Sequence, residues 1–112
     1  MTRPLNAYQM AAAKAMLEAE LEANVAALCK TLRAKRYHTH RSQHSPAGFP
    51  DDVIAGPGGT LFRELKRMGK DPTPEQQEWL DVLGANGHDV GVWRPDDWFS
   101  GRIEAEVRGV LG

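Results

Sequence analysis

The sequence predicts one α/β domain, a mixed β-sheet flanked by helices, and three observations carry that expectation. The opening stretch has no glycine or internal proline and repeats its apolar residues at helical spacing. Short strand-like runs follow, set apart by turn signals. A second helical segment then precedes one more strand and a closing helix, which gives a layered order of helix, strand, strand, strand, helix, strand, helix.

The first helix is expected from about Leu5 to Ala34, where Leu21, Val25, Leu28, Cys29 and Leu32 form an apolar stripe. A short strand follows at Arg36–Thr39, then the polar turn RSQHSPAG. Asp51–Ala55 and Thr60–Lys66 flank the turn GPGG and read as a hairpin. Thr73 is the expected N-cap of the next helix, with Pro74 at its first position and Asn86–Gly87 as its stop. HDVGVW reads as a strand, and Ile103, Val107, Val110 and Leu111 as the apolar side of a short last helix. Trp79, Trp93 and Trp98 are expected in the core or at its edge.

A chain of 112 residues supports one core, so residues 1–112 are read as a single domain. The apolar fraction of 41% and charged fraction of 26% match an ordinary globular protein, and no apolar run is long enough to cross a bilayer. The first residues lack the hydrophobic region of a secretory signal. The single cysteine, Cys29, excludes an internal disulfide and a Cys-based zinc finger, so a reducing cytoplasm is expected.

Net charge is only −1, but its distribution is uneven. No Asp or Glu occurs from Ala23 to Pro50, a window holding Lys30, Arg33, Lys35, Arg36 and Arg41 with His38, His40 and His44. Arg63, Lys66, Arg67 and Lys70 follow. Such segregation creates a local positive surface for phosphates, or simply a solvated basic face. His38 and His40 alternate onto one side of a strand without a complete zinc ligand set, so phosphate or DNA contact is the expected role of these histidines and of Arg41 and Ser42.

Strand alternation puts Glu64 and Lys66 on one face and Arg63 and Leu65 on the other. Pairing through the GPGG turn brings Asp51 close to Glu64. Two carboxylates forced together call for a cation between them. Oxygen ligands, with the Leu65 carbonyl as a further donor, suit Mg²⁺ or Mn²⁺, and Lys66 beside them can orient a water or neutralise phosphate charge. The bland alternative is a surface hairpin carrying an Asp and a Glu–Lys pair.

The segments YHTHRSQHSPAGFPDD, LFRELK, GK, TPEQQEWL and VGVWRP, in that order, resemble the stand-alone VRR-NUC domains of phages and bacteria, a branch of the PD-(D/E)xK nuclease superfamily. The likeness runs from about Glu18 to Arg94. It implies a restriction-endonuclease-like core and a Mg²⁺- or Mn²⁺-dependent endonuclease acting on branched DNA or four-way junctions, as a homodimer similar to Holliday-junction resolvases. It also implies Asp51 and Glu64 as metal ligands, Lys66 as the catalytic lysine and Gln76 as the motif glutamine. Arg36 and Lys70 join the histidines as DNA contacts.

Four points stay open at this level. The family pattern has a hydrophobic residue where this chain has Asp52. Alternation turns Asp52 away from Asp51, to an exposed or helix-facing position, whereas a shifted register would make Asp52 the ligand. For the acid that the superfamily brings from its first helix, Glu18 is the expected catalytic and metal-ligating residue because it lies on the core-facing stripe, with Glu22 at the stripe's edge second and Glu20 on the other side. Gln76 fits both the active site and a capping box with Thr73. Finally, a non-catalytic DNA- or protein-binding module with the same fold, or a restriction-type nuclease, is the alternative function.

Overall fold

The computed structural model describes residues 2–40 and 44–112. The elements are α1 (Ala7–Ala15), α2 (Glu18–Leu32), β1 (Lys35–His38), β2 (Asp52–Gly56), β3 (Gly59–Leu65), α3 (Pro74–Ala85), β4 (Asp89–Trp93), α4 (Pro95–Phe99) and α5 (Arg102–Val110). The strands lie in the order β1-β2-β3-β4. The first two pairings are antiparallel and β3–β4 is parallel, joined across α3. The expected mixed sheet flanked by helices is therefore present.

One helix was expected where two form. Met16 and Leu17 have extended backbone, and the Glu20 side chain accepts from the Leu17 amide to start α2 afresh. Ala, Met, Leu and Glu all favour helix, so propensity carries no trace of the break. Its cause is tertiary. α1 lies against α4, whereas α2 lies against α5, β1 and β3, and one straight helix cannot reach both sets of partners. Asn6 and Gln9 close a capping box on α1, and the Arg3 amide bonds the Ser100 carbonyl. The short α4, which starts at Pro95, is an addition to the expected order. Strand ends differ from expectation by one residue.

The core lies between one sheet face and helices α2 and α5. Leu21, Val25 and Cys29 meet Ile103, Val107 and Val110 over Ile54, Leu61, Leu65 and Trp93, all buried. Trp98 sits at the edge of this cluster. Burial pushes the Cys29 thiol up to about 11, which leaves it protonated and inert. On the opposite face Phe62 meets Phe49 and His88 edge to face. Phe49 meets Trp79 of α3 at 5.0 Å.

The loop before β2 is held tightly against α3. Gly48 has φ of +99°, and a side chain there would strike the Glu75 backbone at 2.6 Å. This close approach brings the chain leading to Asp51 beside the first turn of α3.

Candidate active site

β3 carries two buried charges in succession, and alternation sends them to opposite faces. Arg63 shares its face with Leu61 and Leu65, toward the core. Glu64 faces the other way. The Asp52↔Arg63 pairing, continued by one residue, sets Asp51 opposite Glu64. An Asp51 carboxylate oxygen, Oδ2, accepts the Leu65 N–H at 2.8 Å, which fixes that side chain at the end of β3.

Glu64 is 1% exposed, and neither carboxylate oxygen has a hydrogen-bond partner. Lys66 Nζ stands 3.8 Å from Oε2, close enough for attraction but too far for a hydrogen bond. Burial first, then the neighbouring Asp51 carboxyl, through its charge and through a proton the two can share, push the Glu64 carboxyl up to about 8; Lys66 opposes the shift and Glu18 adds to it. A buried carboxylate without a hydrogen-bond donor is costly, so the position takes up either a proton or a cation. Among the described residues no three His, Cys, Asp or Glu side chains converge as a metal cage. The oxygen donors and open space fit Mg²⁺ or Mn²⁺ better than zinc, because Mg²⁺ retains several waters and needs only one or two carboxylates.

Asp51 and Lys66 border a cavity of ≈ 870 Å³, and Glu64 lies beside them, outside its lining. Leu65, Gln76 and Glu18 line it too, so the start of α2, the β2–β3 region and the start of α3 are brought together. Glu18 is the first residue of α2 and is exposed, not part of the buried stripe that begins at Leu21. Gln76 completes the capping box, its Oε1 accepting from the Thr73 amide at 2.8 Å, and it borders the cavity as well. The two readings of this side chain are thus compatible in space.

Asp52 is fully buried on the helix-facing side, opposite to Glu64. Its Oδ1 meets Arg36 Nη2 at 2.9 Å and His38 Nδ1 at 3.0 Å. The exposed option for Asp52 is overturned, and Asp51 is the residue that shares a face with Glu64. Burial raises the Asp52 carboxyl above its usual range, against the pull of His38 and Arg36.

Several expected phosphate contacts take other places. Arg36 has a side chain only 15% exposed, engaged with Asp52 and, at 3.4 Å, with Glu22. Glu22 also meets His38 Nε2 at 3.3 Å, so this acid ties α2 to β1. Arg63 is not a surface cation; it is buried against Glu106 and Asp89. His38 and His40 do border the cavity, their rings 5.7 Å apart. Lys70 is exposed outside the cavity lining, its carbonyl accepting from Arg94. His44 is exposed, and Arg41 and Ser42 lie outside the described residues.

Sequence reasoning passed over Tyr37 and Phe49, which also border the cavity. The available signal was alternation along β1: once His38 faces the helices, Tyr37 must face Asp51.

No protein-family model and no curated protein matches the chain. Among solved structures, one described as a "VRR_NUC domain protein" superposes with a TM-score of 0.62 over 87% of this chain and 97% of its own, at 23% identity. The chain therefore has the α/β fold of a VRR_NUC domain. No helix among the described residues is long and apolar enough to cross a membrane.

Proposed function

We propose that this protein is a nuclease-type domain, a Mg²⁺- or Mn²⁺-dependent endonuclease that hydrolyses phosphodiesters in DNA. The observation that carries the reading is Glu64, buried beside Asp51 with both oxygens unpartnered and Lys66 above it. A protein that served only as a binding module would gain stability from an apolar residue at that position. The shared fold with a VRR_NUC domain protein supports the same direction.

Asp51 and Glu64, with the Leu65 carbonyl, would hold the cation, and Glu18, at the start of α2, lines the same cavity. When bound, the divalent ion supplies Lewis acidity and a more acidic water. Asp51 is pinned by the Leu65 amide, so its second oxygen is directed without loss of rotamer freedom at the moment of binding. Lys66 provides positive charge where a phosphate would gain negative charge during attack. His40 and Lys66 face the incoming strand, and Arg36 stands behind them as an anchor of β1. Gln76 places a side chain on the same wall while holding the start of α3.

Branched DNA or four-way junctions are the substrate class proposed. Symmetric cutting of a junction needs two sites related by a two-fold axis, so a homodimer goes with that substrate. The test is incubation with Mg²⁺ or Mn²⁺ and linear, flap and four-way DNA, together with Mn²⁺ calorimetry and sedimentation. Cation-dependent cutting that favours branched forms is expected. The absence of both cutting and Mn²⁺ binding would overturn the reading.

A further inference from the structure

The wall of the cavity on the β1 side is an aromatic ring that the fold does not use. Tyr37 is 64% exposed, so the core gains little from it. Among the described residues β1 is an edge strand, paired with β2 alone. Its neighbours Arg36 and His38 turn to the helix side and engage Asp52, which sends Tyr37 to the face that carries Asp51 and Glu64. Tyr37 pairs with Val53, two residues from Asp51. Diagonal neighbours of this kind are about 7–8 Å apart, within reach of an aromatic side chain.

The Phe and Trp rings of the surround are already committed. Phe49 is locked edge to face by Phe62 at 6.3 Å and by Trp79 at 5.0 Å, and both Phe49 and Trp79 are half-buried. They make a wall, whereas Tyr37 presents an open ring. Lys35, two residues earlier on the same side of β1, is exposed as well. A lysine followed by a tyrosine, leading to paired carboxylates, is complementary to a strand whose phosphate meets the lysine and whose base meets the ring.

We propose that Tyr37 is a stacking platform for an unpaired nucleotide flanking the phosphate held at Asp51 and Glu64. The substrate class is thereby narrowed to DNA with a splayed or single-stranded nucleotide at the cut site. A paired base has both faces covered by its neighbours and cannot lie on the ring; an unpaired base can. Stacking tolerates any base, because every base has a π-face, so structure and not sequence is selected. The proposal rests on the nuclease reading for its phosphate position.

The test uses flap DNA with 2-aminopurine at the unpaired position and a blunt duplex of equal length, bound in Ca²⁺ to the wild type and to Tyr37→Ala, Tyr37→Phe and Tyr8→Ala. Tyr8 is the control, exposed on α1 outside the cavity lining. Tyr37→Ala should weaken flap binding roughly tenfold, the scale of one base–aromatic stack, and abolish fluorescence quenching. Tyr37→Phe and Tyr8→Ala should retain both, and duplex affinity should not change. Wild-type affinity and quenching in Tyr37→Ala would overturn the proposal, as would equal losses in the Phe and Ala variants, which would indicate a hydroxyl contact. Mg²⁺-dependent cutting by the wild type separates the two readings. If cutting is present but Tyr37→Ala is unaltered, only the platform falls. If quenching depends on Tyr37 but no cation supports cutting, only the nuclease reading falls.

Discussion

Arg63 and Glu64 are neighbours in β3, both almost wholly buried, and they differ in how their charge is answered. Arg63 Nε and Nη2 meet Glu106 Oε1 at 3.1 and 2.9 Å, and Nη2 also meets Asp89 at 2.8 Å. Glu106 takes the Trp93 indole N–H at 2.9 Å and Arg102 at 2.7 Å. Every member of that network has a partner of complementary sign or polarity. On the other face Glu64 has Asp51, another carboxyl, beside it, and no N–H donor meets either of its oxygens. The contrast separates two uses of buried charge. The Arg63 side stabilises one arrangement of β3, β4 and α5, and the Glu64 side stores an electrostatic deficit that a ligand can relieve.

The largest expected effect tests the deficit. Asp51→Asn or Glu64→Gln should lower cleavage by about a thousandfold or more, since each removes a charge proposed to hold the cation. Stability should move the other way, and pH gives the sign. Glu64 has its carboxyl raised from 4.5 to about 8, so the folded state binds more protons than the unfolded state between those values. Stability without added metal therefore falls as pH rises from about 4.5 to 8. Glu64→Gln should flatten that fall. Denaturant midpoints at pH 5 and 8.5 check it, and an unchanged slope would show that Glu64 carries no electrostatic deficit.

The opposite face should respond in the opposite way. Glu106 has its carboxyl lowered despite burial, by hydrogen bonds from Arg102, Trp93 and Arg63. Its contribution is present above the usual carboxylate value and is lost as pH falls through it. Glu106→Ala should destabilise by about 3 kcal/mol, because Arg63 loses its main partner while buried. Cleavage at temperatures where the variant remains folded should be close to wild type. A large rate loss in fully folded Glu106→Ala would show that the two faces are coupled.

These two halves were unequally legible in the sequence. Asp51, Glu64 and Lys66 stand within sixteen positions on paired strands, so alternation and the hairpin turn were enough to bring them together. Glu106 is 43 residues from Arg63, and no local pattern links them. Asp52 shows the same limit: alternation left it exposed or helix-facing, and only Arg36 and His38, meeting it from β1, decide for the buried, helix-facing position. The split between α1 and α2 was invisible because every residue across it favours helix. Local chemistry reads well from sequence, whereas charge compensation across elements depends on which helices cover which face.

Lys66 lies on the boundary of the comparison, since it is the cation that partly answers Glu64. Its ammonium is 3.8 Å from Oε2, and its side chain is 13% exposed. If the pair served the fold alone, Lys66→Ala would act as a lost ion pair and cost stability with no specific effect on rate. If the deficit at Glu64 exists for catalysis, the lysine is held near the carboxylate without neutralising it and stays available to a phosphate. Lys66→Ala should then lower the single-turnover rate about a hundredfold, the scale of one group that stabilises transition-state charge. DNA affinity should change far less, because one lost phosphate contact is a modest fraction of binding. Stability should drop more at pH 8.5 than at pH 5, since Lys66 opposes the upward shift of Glu64 only when that carboxylate is charged. Saturating enzyme removes binding from the measured rate, and a near wild-type rate under that condition would return Lys66 to the structural side of the molecule and remove the lysine from the proposed chemistry.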